Sequence, residues 1–189
     1  EHFNFPNNLN KVLEIGAGSA PHYKFIKHNY EEYGIAETSK TSFKGYQNNP
    51  KVKFTIYDGK TLPYENEYFD RIIISHCLEH IINPEEFLHE MMRKLKKGGI
   101  LSISLPTDPG LLFRIGRFYL KLFSLKKNYK ISSKKFDYMN ATEHVNSIFG
   151  LSAILNYNYG SSITEYYLPF RIKSFDLNLF YNVHIKKTI

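Results

Sequence analysis

The chain has 189 residues, 42% of them apolar, with Tyr and Phe but no Trp; that suits one domain with a single core and excludes a disordered chain or, for want of an apolar run of ~18 residues, a membrane span. One cysteine, Cys77, excludes an internal disulfide and, with no leader in view, predicts a reducing, cytoplasmic setting. The formal charge of +7 is local: Arg114, Arg117, Lys121, Lys126, Lys127, Lys130, Lys134 and Lys135 stand together with no acid among them, and without those eight there are 17 basic and 18 acidic residues.

The chain opens on Glu1, not Met, so a trimmed N-terminus is expected. "KVLEIGAGSA" (11–20) reads as an apolar strand emptying into a glycine turn. "PHYKFIKHNY" then reads as a helix, with Pro21 suited to its first turn. "EYGIAETS" is a short strand ending at Glu37, and "VKFTIYDG" a third ending at Asp58. After the turn-rich "TLPYENEYFD", the continuous apolar run "RIIIS" predicts a strand covered on both faces. "NPEEFLHEMMRKLKKGG" is a capped helix: Asn83 precedes Pro84, acids open it, lysines close it, and Gly98 stops it. Its buried stripe is Phe87, Leu88, Met91, Met92 and Leu95, and "ILSISLP" follows as a fifth strand. Alternating strand and helix predict an α/β fold with a parallel sheet and right-handed crossovers.

Beyond this the pattern changes. Residues 110–125 predict an amphipathic helix, followed by a basic, polar loop to about 140 and a helix near 146–158. "SITEYYLPF" and "NLFYNVHIKK" predict two closing strands. There is no internal repeat and no linker, so a single domain over 1–189 is expected, with an insertion at about 107–145.

In an open parallel sheet, ligands bind beyond the carboxyl ends of the strands, where strand order reverses. Three ligands compete for the glycine turn. A phosphate loop needs a spacing and a lysine that Gly16 and Gly18 do not offer. A dinucleotide fingerprint meets Pro21 at its third glycine, and Glu14 would face a pyrophosphate with like charge. S-adenosylmethionine has no phosphate, and its ammonium and sulfonium suit a carboxylate near the turn. Glu37 lies at the end of the second strand, where a carboxylate can accept both ribose hydroxyls. Asp58, with Gly59 beside it, can address the adenine edge. Taken alone, a strand-end Glu reads as solvated and an Asp-Gly pair as a turn.

"VLEIGAGSA", "YGIAETS", "YDGKTLPYENEYFD", "SHCLEHIINPEEFLHEMMRKLKKGGILSISLP" and "EHVNSI" resemble class I S-adenosylmethionine-dependent methyltransferases, especially the small-molecule branch. The resemblance implies a Rossmann-like seven-stranded sheet, order 3-2-1-4-5-7-6, with strand 7 antiparallel and helices on both faces. It implies that Glu14, Gly16 and Gly18 hold the methionine portion of the donor, Glu37 the ribose, and Asp58 and Gly59 the adenine, with Ala17 and Thr38 also in the donor site. Ser75 and His76 would line the path to the methyl group. Ala20 departs from the pattern, where many members carry a third glycine, and a segment that in relatives often folds over the donor is expected to be missing.

Methyl transfer is an in-line displacement; the sulfonium leaves readily, so alignment matters most, and a hydroxyl acceptor also needs a base or a Lewis acid. "SHCLEH" follows the fourth strand. His76, Glu79 and His80 share a face if this turn is helical. The string matches the H-x-x-E-H of inverted zinc peptidases, a coincidence here. It also resembles the E-x-x-E-H that carries a divalent metal in ubiquinone-pathway and small-RNA 2′-O-methyltransferases, with His76 replacing the first Glu. The resemblance adds His144, so His76, Glu79, His80 and His144 form a candidate metal site. His80, His144 or His76 as a catalytic base, and a purely structural set, are the competing readings. His22, His28 and His89 are predicted at the surface, His184 in packing, and Cys77 as a small filler beside the donor pocket. Tyr23, Tyr129 and Tyr138 are candidates for an acceptor pocket.

The insertion carries the basic stripe, so a small anionic acceptor methylated on a hydroxyl is expected, such as a sugar or a bacterial cell-surface polysaccharide precursor. "LLFRIGRFYLKLF" also suits a lipid-linked acceptor and peripheral membrane contact. RNA ranks below these, because aromatic and basic residues are not gathered into a nucleic-acid module. A donor-binding partner domain without catalysis is the reading from another class.

Overall fold

The computed structural model describes residues 3–18, 22–39, 49–126 and 132–188. Seven strands form one sheet: β1 (Lys11–Ile15), β2 (Glu32–Glu37), β3 (Val52–Ile56), β4 (Phe69–Ser75), β5 (Leu95–Pro106), β6 (Ile163–Leu168) and β7 (Phe180–Lys186). Their order is 3-2-1-4-5-7-6, and β7 alone runs antiparallel to its neighbours, β5 and β6. The expected class and order both hold. Four α-helices are described: α1 (Pro84–Lys94), α2 (Leu111–Lys126), α3 (Ser133–Glu143) and α4 (Ile148–Tyr159).

Side-chain alternation sorts the core. Leu13, Ile15, Ile72, Ile74, Leu101 and Ile103 point to one face and pack against Leu88 and Met91 of α1 and Leu151 and Leu155 of α4. Each such buried aliphatic contributes roughly 1.5–3 kcal/mol. On the opposite face Val12, Tyr33, Ile35 and Ile73 form a second cluster with Leu9, joined by Phe5, Tyr23 and Ile26. Ile72, Ile73 and Ile74 are thus all buried, as the unbroken run predicts.

Three local expectations give way. The helix expected over 21–30 is, among the described residues, a single 3-10 turn, His22–Lys24. Backbone groups beyond it go elsewhere: the N–H groups of Asn29 and Glu31 donate to Asn7 and Asn10 carbonyls. α1 ends at Lys94, not at Gly98, because Leu95 is already extended and the buried Lys94 ammonium donates to the Tyr64 carbonyl at 2.6 Å. Gly98, at φ +76°, lies inside β5, and its N–H bonds the Lys187 carbonyl. The stretch expected as a polar loop to about 140 contains α3, capped by Ser132, whose hydroxyl accepts the Lys135 N–H. Lys127, Tyr129 and Lys130 lie outside the described residues.

Candidate functional site

β1 delivers its chain into a turn that only glycine enters without strain. Gly16 has φ +68° and Gly18 φ +54°. A Cβ on Gly16 would also sit 2.9 Å from Cys77 Sγ. The Gly16 N–H donates to the Ala36 carbonyl at 3.0 Å, tying the turn to β2. The Gly18 N–H donates to Glu37 Oε1 at 2.6 Å. Burial pushes the Glu37 carboxyl up, and the Gly18 N–H opposes that shift. The glycine turn and the acid at the end of β2 are therefore one hydrogen-bonded unit.

Glu14 is 1% exposed. Its carboxylate accepts the Tyr33 hydroxyl at 2.7 Å, the His22 backbone N–H at 2.9 Å and His22 Nδ1–H at 3.0 Å. Burial, then Glu14, drives the Tyr33 phenol far above its ordinary value. Protein donors thus engage Glu14, which together with the His22 it holds borders a cavity. Gly16, Ala17, Ser75 and His76 line that cavity of about 510 Å³ together with His22 and Phe180. His22 keeps 41% of its side chain exposed, as expected of a surface residue, while its Nδ1 bonds Glu14. His28 is not the surface residue expected: it is buried and pairs with Arg71 at 2.9 Å.

Gly59, at φ +80°, lies against Thr38, whose methyl would be 3.4 Å from an added Cβ. Asp58 Oδ1 accepts the N–H groups of Lys60 and Thr61, both at 2.8 Å, which holds its carboxyl below the ordinary range. Asp58 and Gly59 border a second cavity of about 1100 Å³, on the side of β3, which also reaches His80. Cys77 is half-buried, its thiol pushed up to about 12 chiefly by burial. Tyr23 packs against Tyr33 in the core, whereas Tyr138 is exposed.

The segment after β4 brings one further group together. Glu79, His80 and His144 offer ligand atoms within 4.8 Å of one another. His76 is not in the trio but borders it: its Nδ1 lies 3.7 Å from Glu79 Oε1, while at φ +49° its ring meets Phe180 edge-on and burial lowers its pKa. Both remaining rings are oriented through Nδ1. His80 Nδ1–H bonds the Glu143 carbonyl, and His144 Nδ1–H bonds Asp108 Oδ2 at 2.7 Å. That leaves each Nε2 with its lone pair available. Glu79 is 2% exposed, and its Oε2 has no hydrogen-bond partner among the described residues. Burial pushes its carboxyl up. Two oriented imidazoles beside the buried Glu79 carboxylate, whose Oε1 lies 3.9 Å from His80 Nε2, fit a divalent cation of the zinc or iron type.

Asp108, just past β5, and Arg117, on α2, were not among the expected site residues. Arg117 donates to the same Asp108 Oδ2 at 2.7 Å. The signal for Asp108 was an acid one residue beyond Thr107 at the carboxyl end of a parallel strand; Arg117 was marked only as a member of the basic stripe.

This sheet order, with a glycine turn joined to a strand-end acid, defines the class I S-adenosylmethionine-dependent methyltransferases, and the chain belongs among them. Residues 13–103 match the family model described as a methyltransferase domain. A demethylmenaquinone methyltransferase of Clavibacter sepedonicus is 31% identical over 142 residues, which are 69% of this chain and 56% of that one. A ubiquinone/menaquinone biosynthesis C-methyltransferase of Pseudomonas fluorescens is 29% identical over 52% of this chain and 44% of its own length. The chain thus spans about half the length of these curated relatives. In fold it is similar to a Thermotoga maritima methyltransferase described as a possible histamine N-methyltransferase, with a TM-score of 0.59, 19% identity, and 94% and 82% of the two chains covered. No helix among the described residues is long and apolar enough to cross a membrane.

Proposed function

We propose that the chain transfers the methyl group of S-adenosylmethionine to a hydroxyl-bearing acceptor whose proton is taken by His144. The observation that carries this reading is the Asp108–His144 hydrogen bond, which fixes the imidazole with a basic Nε2 beside His80. The donor's methionine portion occupies the cavity bounded by Gly16, Ala17, Ser75 and His76. Glu37 and Thr38 take the ribose, and Asp58 and Gly59 the adenine side. Glu14 borders the same cavity and holds His22 there. The acceptor's proton passes to His144 Nε2, the acceptor–carbon bond forms, and the carbon–sulfur bond breaks with its electron pair leaving on sulfur. Residues 107–145 form the acceptor side.

The acceptor that fits best is a quinol-type ring. Deprotonating its hydroxyl makes both the oxygen and the neighbouring carbon nucleophilic, and the relatives' names point to quinone precursors and to carbon. The anionic sugar or polysaccharide precursor loses ground, because Arg117 and Lys121 of the basic stripe are already engaged by Asp108 and Asp137. The test is transfer of labelled methyl from the donor to quinols, sugar nucleotides and RNA in parallel, with the methylated atom located by NMR. Transfer to quinols supports the reading; transfer to another class replaces it, and donor binding without transfer to any favours a partner domain.

A second reading rests on Glu79 Oε2, buried without a partner. Glu79, His80 and His144 would hold a divalent cation, which when bound supplies Lewis-acid activation of a hydroxyl. Calorimetric titration of the chelator-treated chain with zinc, iron(II) or magnesium tests it: binding lost in His80→Ala supports a metal site, and the absence of binding leaves the base alone.

A further inference from the structure

The helix α2 is turned the opposite way to an ordinary surface helix. Such a helix buries its apolar stripe and shows solvent its charges. In α2, Arg114, Arg117 and Lys121 share one side by helical spacing. Arg117 reaches inward to Asp108, and Lys121 bonds Asp137 of α3 at 2.6 and 2.8 Å. Leu111, Ile115, Phe118 and Leu122 share another side, at i, i+4, i+7 and i+11, and all four are exposed. Tyr119 and Phe123, 57% and 64% exposed, widen that face. An aromatic side chain carries about 150–250 Å², so the three rings and three aliphatics together leave on the order of 500 Å² of apolar surface in one patch. That is at the upper end of what a monomer shows without using it.

We propose that this outward face of α2 docks on the headgroup region of an anionic lipid bilayer. The charge around it selects that occupant. Residues 111–135 contain eight bases and no acid, and Arg114, on α2, and Lys134 and Lys135, on α3, are exposed. An apolar and aromatic helix face with flanking lysines is the composition that lies in a bilayer interface and is drawn to acidic lipids. A second copy of the chain is disfavoured by the same charge, because a two-fold interface would set the basic segment against itself. The membrane contact is independent of which acceptor is methylated. It would, through Arg117, bring Asp108 and His144 to the lipid surface, within reach of an acceptor dissolved there.

The experiment is co-sedimentation of the full chain with vesicles of phosphatidylcholine alone and of phosphatidylcholine mixed with phosphatidylglycerol. The expected result is binding about tenfold or more tighter to the anionic vesicles, weakened by salt. Phe118→Glu with Phe123→Glu should abolish binding to both vesicles while leaving thermal melting and donor affinity unchanged, since both rings are exposed. Lys134→Glu with Lys135→Glu should remove much of the preference for anionic lipid. The proposal is overturned by equal or absent binding to the two vesicles. It is also overturned if Phe118→Glu with Phe123→Glu leaves vesicle binding intact, or if that pair only converts a dimer to a monomer in analytical ultracentrifugation. A methyl-transfer assay on soluble quinols fails or succeeds separately from each of these results.

Discussion

One oxygen, Asp108 Oδ2, lies 2.7 Å from both His144 Nδ1 and Arg117 Nη2. The nitrogens are 3.3 Å apart, and since the carboxylate can only accept, the imidazole must hold its Nδ1 proton toward it. A base is thereby locked in one tautomer by a residue that never touches the acceptor. Asp108→Asn keeps the shape but offers an amide that can stabilise the wrong tautomer. We expect kcat to fall roughly 10²-fold, within the span typical of general-base catalysis, with donor affinity unchanged. Steady-state kinetics beside donor calorimetry checks this. Equal losses in kcat and donor affinity would mark Asp108 as a fold residue instead.

The Gly18–Glu37 hydrogen bond makes a second outcome specific. Glu37→Ala removes both the anchor of the glycine turn and the acid at the end of β2. Donor affinity should drop by about tenfold or more, the scale of a charge-assisted hydrogen bond. Glu37→Gln retains an acceptor for the Gly18 N–H and should recover part of the loss. Calorimetry with S-adenosylhomocysteine, the reaction product, reads both; an unchanged affinity in Glu37→Ala would remove this acid from the donor site.

What was legible in the sequence follows from range. The parallel α/β class came from alternating apolar runs, and the sheet order from the family resemblance alone. The pairing of Gly18 with Glu37 lay in the idea of successive strand ends. The trio Glu79, His80 and His144 was half legible: His76 matched the spacing and its Nδ1 does reach to 3.7 Å from Glu79 Oε1, but its left-handed backbone also sets its ring against Phe180, and it is not part of the tight group. His22 was hidden because aromatic and apolar residues at 23, 26 and 30 mimic a helical stripe while packing on the sheet. α2 was recognised as amphipathic, yet no periodicity tells which side faces the protein. That depends on Asp108 and Asp137, nine and sixteen residues from their partners.

Gly16 combines two constraints that substitution can separate. Its φ of +68° would strain any L side chain by about 1–2 kcal/mol, and an added methyl would meet Cys77 Sγ at 2.9 Å. Gly16→Ala should therefore lose more stability than the backbone strain alone, about 2–3 kcal/mol once overpacking is included. Cys77→Ala in the same chain removes the Sγ contact but leaves the Cβ at 3.2 Å, and should return most of the overpacking part only. Urea midpoints of the single and double variants measure it. Additive losses would show that the thiol and the turn do not meet.

Glu79 gives a pH dependence whose sign is fixed by burial. Its folded-state carboxyl titrates above the ordinary value of 4.5, chiefly through desolvation. Between those two points the folded chain holds a proton that the unfolded chain has released, so stability falls as pH rises through the window. Glu79→Gln has no such proton to lose. In chelator, the variant should match the wild type near pH 4.5 and exceed it at higher pH by about 1–3 kcal/mol, the cost of an unsatisfied buried polar group. A divalent cation that binds Glu79 Oε2 would satisfy that oxygen. Adding it should then flatten the wild-type curve and leave the variant where it was. Urea denaturation across pH, with and without metal, distinguishes the cases. Parallel wild-type and variant curves would mean that Glu79 is solvated in solution, and the argument for a cation at this oxygen would go with it.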